Sequence, residues 1–375
     1  MNKKSVTIAF LGNPHFDTRV NNLAASLKKD GYDINVIGFD WRNPDFKTES
    51  GEVKVYKLHK GKFSLLFYLK YAVLLKLFLF RSKSDIYFAE DIYTLPFVYI
   101  YARIKKAKVI YNSRELFGFL AGLRKKKLVQ SLISCIEQYF IKKVDLVLTT
   151  GEMDTEFIKT QYKITNVLTI RNLPVLQQPK SVVDFREMFN LSSEIKILFY
   201  QGVLFDGRGL EITIKSLRDI PNAVFVICGS GEQKQKFVDL VKYHNVEDKV
   251  FFLGAIDQAE LINYTAGADL GLSLIENISI SYYYALPNKM FEYMMASLPL
   301  VVSDLPQMRN IVDKYETGEV IDIENKNSIS VELKKLLGDK EQLDKYRTNC
   351  KTAAAELNWQ KEYEKLKDAL TGLEK

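Results

Sequence analysis

Short apolar, β-branched runs alternate with helical stretches along this chain, and this alternation is the strongest constraint on its fold. Residues 5–11 and 33–39 predict two strands, and the helical pattern of residues 19–29 lies between them and ends at Asp30-Gly31. The same pattern recurs, with strands predicted near 86–89, 108–111 and 145–149. Strands that alternate with helices predict a mostly parallel, doubly wound sheet.

A second alternation follows a proline-rich, polar segment at residues 174–193. Its predicted strands are 196–201, 223–228, 250–253, 270–274 and 300–303, with helices at 210–217, 232–243 and 289–296. A chain of 375 residues exceeds the size at which single cores stop growing, about 250 to 300 residues. We therefore predict an N-terminal domain at 1–175, a C-terminal domain at 176–355, and a helix at 356–375 that packs back on the first domain.

The cysteine content predicts a reducing compartment. Cys135, Cys228 and Cys350 are odd in number and widely spaced, so they suit neither a disulfide framework nor a metal knuckle. The longest apolar run, residues 63–80, contains Lys70 and Lys76, and a central charge costs roughly 2.5 to 3.5 kcal/mol on insertion into a bilayer. We expect a cytoplasmic protein without an export signal or a spanning helix.

Charge is distributed unevenly between the halves. Residues 1–175 carry 29 Lys and Arg against 16 Asp and Glu, whereas residues 176–375 carry 24 against 30. Such asymmetry indicates an anionic surface beside the first half, either membrane or nucleic acid. Basic stretches with interspersed apolar residues at 60–83, 103–108 and 124–127 favour peripheral attachment to the inner face of the cell membrane, and no nucleic-acid-binding module is recognisable. For any single stretch, a buried helix with snorkelling lysines explains the pattern as well.

The most informative motif is ALPNKMFEYMMASLPLVVSD, residues 285–304. Pro287 and Asn288 suit a helix start, which places Lys289 and Glu292 on one face of the first turn. Anions bind at the electropositive end of a helix, so a lysine there suits a diphosphate and a nearby glutamate suits the hydroxyls of a ribose. Taken alone, Glu292 is better explained as a charge that stabilises its own helix.

Two glycine-rich loops strengthen the phosphate-binding interpretation. YQGVLFDGRGLE (200–211) and CGSGE (228–232) each follow a predicted strand, and a backbone without side chains can approach a phosphate closely. Their candidate donor-binding residues are Gly202, Gly207, Arg208, Gly209, Gly229 and Gly231. Each loop alone is common in α/β proteins, but together with the 285–304 motif they place three such features at strand ends of one domain.

Together these segments resemble the family-4 retaining glycosyltransferases of the GT-B fold, over nearly the whole chain. GNPHFDTRVNNLAASLKKDGYDINVIGF, AEDIYTLP, VIYNSRELF, TIRNLP, GADLGLSL and the late Asn358-Trp359 also fit that family. The resemblance implies an α/β protein of two Rossmann-like doubly wound domains that face each other across a cleft. It also implies sugar transfer from a nucleotide-sugar, usually without a metal and with retention of the anomeric configuration.

Residue by residue, the resemblance assigns the nucleotide-binding glutamate to Glu292 and the diphosphate-binding lysine to Arg208, within a phosphate loop at 202–209. Gly12, in the opening loop, is a further candidate donor contact. Tyr284 stands where the family often has a second glutamate, and Val203 where it often has an arginine. The family's Asp-x-His-Glu pattern reads Asn112-Ser113-Arg114-Glu115 here, which puts in doubt any chemistry that depends on that histidine.

Arg208 and Lys289 are the candidate catalytic residues, because cations beside a departing diphosphate stabilise the charge that develops there. Acceptor-side candidates are Asp17, Arg19, Arg114 and Glu115, of which the first two are equally explained as helix-start charges. No catalytic base is identifiable. His15, His59 and His244 have no metal-ligand spacing, so we predict no metal ligands.

The sequence therefore predicts a cytoplasmic, peripherally membrane-bound, metal-independent glycosyltransferase of cell-surface polysaccharide or glycolipid synthesis, with no cofactor. Its expected partners are a nucleotide-sugar, a glycan or lipid-linked acceptor and an anionic membrane, but not nucleic acid. If Glu292 holds both ribose hydroxyls, UDP- or GDP-linked donors should bind better than dTDP-linked ones. A nucleotide-sugar epimerase of similar architecture and a non-catalytic nucleotide-sugar-binding protein remain open alternatives.

Overall fold

The computed structural model describes residues 3–43, 45–61, 64–119, 127–325 and 328–373. The chain divides into two compact units, which we call the N-unit (Met1–Asn172 with Glu362–Lys375) and the C-unit (Leu173–Lys361). The sequence analysis placed these divisions at 175 and 355. Residues 62 and 63 and most of the basic run at 124–127 lie outside the described residues.

The N-unit is built on a parallel sheet. Its described strands are β1 (Ser5–Ala9), β2 (Asp33–Asp40), β3 (Val53–Lys57), β4 (Ile86–Ala89), β5 (Lys108–Ser113), β6 (Leu146–Thr149) and β7 (Val167–Thr169). They lie in the order β3-β2-β1-β4-β5-β6-β7, and Val6 of β1 pairs with Ile34 of β2 and with Ile86 of β4. The strand order reverses between β1 and β4, which is therefore the topological switch point of this sheet.

Helices connect the strands of the N-unit. They are α1 (Thr18–Lys29), α2 (Ser64–Arg81), α3 (Leu95–Ile104), α4 (Lys127–Ile141) and α5 (Glu152–Tyr162). In α2 the side chains of Phe67, Tyr71, Leu75 and Leu79 are buried, at the four-residue spacing of one helix face. Within the described residues, α2 included, no helix combines the length and apolar character needed to cross a lipid bilayer.

The C-unit repeats the architecture with a second parallel sheet. Its described strands are β8 (Lys196–Gln201), β9 (Ala223–Cys228), β10 (Val250–Gly254), β11 (Leu270–Ser273), β12 (Leu300–Ser303) and β13 (Gly318–Ile321). They lie in the order β10-β9-β8-β11-β12-β13, so the switch point falls between β8 and β11.

The helices of the C-unit cover its sheet. They are α6 (Phe185–Met188), α7 (Leu210–Ser216), α8 (Lys234–Tyr243), α9 (Leu261–Ala266), α10 (Ile280–Tyr283), α11 (Asn288–Met295), α12 (Pro306–Tyr315), α13 (Ser328–Gly338) and α14 (Lys340–Glu356). A final helix, α15 (Trp359–Leu373), begins in the C-unit and continues in the N-unit from Glu362.

Alternate residues of β8 face opposite sides of the C-unit sheet. Leu198 packs in one cluster with Phe237 of α8, whereas Phe199 packs in another with Met294 of α11 and Met308 of α12. Both faces are therefore covered, as parallel sheets require. This explains why β9 is buried along its whole length and why its sequence, AVFVIC, is continuously apolar.

The expected fold class, α/β with two Rossmann-like doubly wound domains, is confirmed. The strands β3, β7 and β13 were not predicted from the sequence, and each of them lies at an edge of its sheet. Every residue of β7 is only half-buried, and the other two strands mix buried with more exposed positions. Edge strands bury less apolar surface, so their sequences carry a weaker hydrophobic signal. The first strand was also predicted too long, because the Leu11 N–H donates to the carboxylate of Asp91 instead of continuing β1.

Candidate functional site

The candidate donor-binding residues of the C-unit gather at its switch point. The loop after β8 (202–209), the loop after β9 (229–233) and the N-terminal turn of α11 all follow or flank the carboxyl ends of central strands. Open α/β sheets bind ligands at this position, because loops diverge there and leave a crevice. Local motifs that are separated by about ninety residues in the sequence thus meet at the carboxyl ends of the central strands of one sheet.

Close backbone packing explains the glycines of the two loops. A Cβ at Gly229 would lie 1.8 Å from the carbonyl oxygen of Gly202, and one at Gly231 would lie 2.4 Å from the carbonyl oxygen of Leu204. The Gly202 N–H donates to the carbonyl of Cys228 at 2.9 Å, which holds the loops together. These glycines therefore serve the loop contact itself, and their role as donor contacts stays a prediction.

Gly209 ends the first loop in a conformation that favours glycine. Its φ is +72°, and a Cβ there would lie 2.3 Å from the Cβ of Leu274. Gly207, with a φ of +76°, similarly leaves room for the side chains of Ile278 and Tyr282. Arg208 therefore lies between two residues whose backbone conformation would strain an ordinary side chain.

Arg208 is half-buried, and its guanidinium carbon lies 5.1 Å from the ring centroid of Tyr282. Its charge is close enough to lower the pKa of Lys289. Val203, where the resembling family often has an arginine, is 65% exposed. The loop therefore presents one arginine, at its glycine-flanked end.

Lys289 lies in the first turn of α11 and is 8% exposed. Its ammonium nitrogen is 3.6 Å from the ring centroid of Tyr200, and a Cβ at Gly202 would come within 3.5 Å of it. In the described part of the chain it forms no ion pair. Burial lowers its pKa well below the ordinary value, Arg208 acts in the same direction, and Glu292 opposes both. An anion at this point would relieve the cost of a buried, unpaired ammonium group.

Glu292, one turn further along α11, is held by two amides. Gln201 and Gln258 each donate a hydrogen bond to a different oxygen of its carboxylate, the second at 3.1 Å. Thr265 in turn donates to the side-chain oxygen of Gln201 at 2.7 Å. Burial raises the pKa of Glu292, while both amides and Lys289 lower it.

Neither Gln201 nor Gln258 was among the residues predicted from the sequence. Gln201 is the last residue of β8 and directly precedes Gly202, so its position at a strand end was a usable signal, whereas Gln258 carried none. Both line a small pocket with Glu292, Thr265 and neighbouring apolar residues, with a volume of about 20 Å³. That space holds about one water molecule.

Asn288 is the first residue of α11 and is half-buried.

In the N-unit, Asp17 and Arg114 pair with each other. The Arg114 Nη2 donates to both carboxylate oxygens of Asp17, at 2.7 and 2.8 Å, and its guanidinium carbon lies 4.9 Å from the Phe10 ring centroid. Asp17 also accepts the Val20 N–H at 2.9 Å and so caps α1, as the helix-start interpretation predicted. The neighbouring Glu115 is exposed.

Arg19 is a buried residue and not a surface contact. It is 2% exposed and donates to the Asn112 side-chain oxygen at 2.7 Å, and Asn112 donates to Glu90 at 2.8 Å. Burial lowers the pKa of Arg19 and raises that of Glu90. Arg19 is therefore held by neighbouring buried side chains, and its role on the acceptor side stays a prediction. Glu90 was absent from the candidates, because a single glutamate after a strand carries no pattern.

The remaining candidates do not gather into a metal site. Gly12 belongs to the N-unit, where its carbonyl accepts the Phe39 N–H at 2.8 Å. His15 contacts Glu49 at 2.6 Å on the exposed surface. Among the described residues, no group of three or more His, Cys, Asp or Glu side chains is arranged to hold a metal ion.

Comparisons with known proteins agree with this architecture. Residues 184–357 match the family model described as Glycosyl transferases group 1. An uncharacterized glycosyltransferase of Haemophilus influenzae is 22% identical over 325 residues, which cover 85% of each chain. Sucrose-phosphate synthase from Thermosynechococcus elongatus superposes with a TM-score of 0.83 at 17% identity, covering 99% of both chains. HepE from Anabaena, in complex with UDP and glucose, superposes with a TM-score of 0.74 at 14% identity, covering 98% of this chain and 100% of that one.

At these identities the solved structures show the fold, which is the GT-B architecture of glycosyltransferases. The family match adds sequence similarity across the C-unit, and it includes the loop after β8 and the first turn of α11. Residues 184–357 are thus similar to the glycosyl transferases group 1 family, and the chain has the GT-B fold of glycosyltransferases.

Proposed function

We propose that this glycosyltransferase moves a sugar from a nucleotide-sugar to a glycan or lipid-linked acceptor, in the assembly of a cell-surface polysaccharide or glycolipid. The observation that carries the proposal is the meeting of Arg208, Lys289 and Glu292 around the switch point of the C-unit. A nucleotide-sugar offers a diphosphate to the two cations and ribose hydroxyls to the carboxylate. The solved complex of HepE with UDP and glucose, which has the same fold, supports a donor of this class.

Charge neutralisation by side chains is the proposed source of catalysis. As the bond from sugar to phosphate breaks, negative charge grows on the diphosphate, and Arg208, Lys289 and the first N–H groups of α11 stabilise it. With these groups in place, the proposed reaction uses neither a metal ion nor a cofactor. The resemblance of residues 285–304 to the family-4 enzymes supports retention of configuration.

Glu292 is the proposed ribose ligand. Each oxygen of its carboxylate accepts one protein hydrogen bond and keeps a second lone pair for a hydroxyl group. Two hydroxyls, at positions 2′ and 3′, satisfy both oxygens, whereas deoxyribose offers only one. Donors linked to UDP or GDP are therefore proposed over those linked to dTDP.

Incubation with a panel of nucleotide-sugars tests the proposed function, with free nucleotide and the donor's sugar followed over time. We expect slow release of nucleotide from one UDP- or GDP-linked donor, because water replaces the missing acceptor. Isomerised donor without release would identify an epimerase. Thermal stabilisation by a donor without turnover would identify a binding protein. Stabilisation by dTDP equal to that by UDP or GDP would contradict the role of Glu292.

An apolar, basic surface on the N-unit supports the proposed attachment to the inner face of the cell membrane. The helix α2 has no acidic residue but contains Lys70, Lys76 and Arg81. The side opposite its buried stripe exposes apolar residues by 48 to 72%: Leu65, Leu66, Leu69, Val73, Leu77 and Phe80. Helices that are apolar all round and basic suit the boundary of an anionic bilayer, where each basic residue contributes about 1 kcal/mol.

Replacing Leu69 and Val73 together by aspartate is expected to abolish sedimentation with anionic liposomes at low salt, because the charges oppose insertion and repel the lipid. The matched control is Val331→Asp in α13 of the C-unit, where an equally exposed valine (57%, against 54% for Val73) lies outside the proposed surface. If the unsubstituted protein does not sediment with anionic liposomes at low salt, the proposed attachment to the membrane is wrong.

A further inference from the structure

Each of the two cations in the proposed donor site lies over a tyrosine ring. The guanidinium carbon of Arg208 is 5.1 Å from the ring centroid of Tyr282. The ammonium nitrogen of Lys289 is 3.6 Å from the ring centroid of Tyr200. A tyrosine ring attracts a cation through its π electrons but carries no net charge. Both cations therefore keep their full charge for an anionic ligand.

Another basic side chain beside the loop after β8 is paired with carboxylates instead. Lys236 contacts Asp206 of that loop at 2.8 Å and Glu211 of α7 at 3.3 Å. Among the described residues, neither Arg208 nor Lys289 forms an ion pair, and each contacts a ring. A carboxylate in place of the ring would neutralise the cation and repel a diphosphate. The kind of partner thus distinguishes a cation that fastens the loop from the cations that remain available to a ligand.

The space for the Tyr282 ring depends on Gly207, which directly precedes Arg208. A Cβ at Gly207 would lie 2.9 Å from the ring carbon Cε2 of Tyr282 and 2.8 Å from the Cδ1 of Ile278. A side chain at this position would displace Tyr282 or Ile278, in addition to straining a backbone with a φ of +76°. The glycine therefore allows the ring to approach the end of the loop.

Hydrogen bonds hold the segment that carries Tyr282. The Tyr282 N–H donates to the Oγ of Ser279, the residue that caps α10, at 3.2 Å. The Glu276 N–H donates to the carbonyl of Gly207 at 3.1 Å, so this segment is joined directly to the loop after β8. Such support keeps a side chain in place before the ligand arrives.

The two cations and the two rings lie within electrostatic reach of one another. Burial raises the pKa of Tyr200 to about 12, the charge of Arg208 lowers it and Tyr282 raises it. The Tyr200 hydroxyl donates to the Val203 carbonyl at 2.8 Å, which fixes its ring. The two like charges of Arg208 and Lys289 repel each other, and Arg208 lowers the pKa of Lys289. An anion that contacts both cations, as a diphosphate can, relieves this repulsion.

We propose that Tyr282 is a positioning residue for Arg208, whose guanidinium its ring holds toward the diphosphate of the donor without neutralising it. This role rests on the proposed function, because it requires a diphosphate at Arg208. The nucleoside diphosphate released by transfer is the most sensitive probe, since it carries the negative charge that develops as the sugar leaves. Tyr282 should therefore matter more for the binding of UDP or GDP than for that of the intact donor.

Titration calorimetry with UDP and with GDP tests the proposal without any turnover. For the nucleotide that binds, Tyr282→Leu is expected to raise the dissociation constant about tenfold, which corresponds to about 1.4 kcal/mol. Tyr282→Phe keeps the ring and is expected to raise it by less than about twofold. The matched control is Tyr283→Leu, which removes the neighbouring ring, 39% exposed, and leaves Tyr282 in place.

A double-mutant cycle separates positioning from a general structural effect. In an Arg208→Ala background, Tyr282→Leu is expected to change the dissociation constant by less than about twofold, because the ring has no guanidinium to hold. An equal loss in both backgrounds, an equal loss for Tyr282→Phe and Tyr282→Leu, or no loss for Tyr282→Leu would overturn the role of Tyr282 and leave the proposed function intact. If the unsubstituted protein bound neither UDP nor GDP, the proposed donor site would be wrong, and the role of Tyr282 with it.

Discussion

Arg208→Ala is expected to lower the turnover of a nucleotide-sugar about 100- to 1,000-fold while the KM for the donor changes far less. Arg208 lies between Gly207 and Gly209 at the end of the loop, its guanidinium carbon is 5.1 Å from the Tyr282 ring centroid, and its charge lowers the pKa of Lys289. Its position allows it to meet a diphosphate whose charge increases as the sugar leaves. An interaction that strengthens in the transition state affects kcat more than binding.

The effect on kcat is separated from the effect on KM by initial rates of nucleotide release, measured over a range of donor concentrations. Arg208→Lys keeps the charge but loses the bidentate geometry, so an intermediate rate is expected. Arg218→Ala removes an exposed arginine of the same unit and should leave both parameters unchanged. If Arg208→Ala raised KM and lowered kcat by equal factors, or changed neither, Arg208 would have no special role in the transition state.

Arg19→Met is expected to destabilise the N-unit by about 3 to 5 kcal/mol, the usual cost of leaving a buried charge without its partner. The guanidinium and the carboxylate of Glu90 are both buried and are joined through the side chain of Asn112. Burial raises the pKa of Glu90, and the charges of Arg114 and Arg19 both oppose this effect. Methionine fills much of the volume but removes one of the two cations that act on the carboxylate and leaves the Asn112 oxygen without its donor.

Urea unfolding in a Trp359→Phe background reports on the N-unit alone, because Trp41 is then the only tryptophan. Adding Glu90→Gln to Arg19→Met should recover part of the lost stability, since the double variant buries no unpaired charge. Lys29→Met, at an exposed position of the same helix, is the matched control. A loss below about 1 kcal/mol for Arg19→Met, or no recovery in the double variant, would mean that charge pairing does not stabilise this core.

The architecture was readable from sequence because its signals are local. Buried parallel strands such as β9 are continuously apolar, and helices between them show their own period, so the alternation gave both sheets. The edge strands were missed for the opposite reason, since half-buried strands need little apolar sequence. For Asp17 the sequence left a helix-start role and an acceptor-side role open, and the first was accessible to sequence because a cap depends only on residues three positions away.

The sequence by itself determined the class of the fold, the glycine loops and the three-residue spacing of Lys289 and Glu292, because each of these signals depends on residues that are close together in the chain. Only the tertiary structure decided what surrounds those residues. It brings Lys289 over the ring of Tyr200, pairs Arg114 with Asp17 across 97 positions, and buries Arg19 against Asn112 across 93. Such contacts depend on which strands become neighbours in a sheet. Burial shifts the pKa of Lys289 and of Glu90, and this burial exists only after helices cover the sheets.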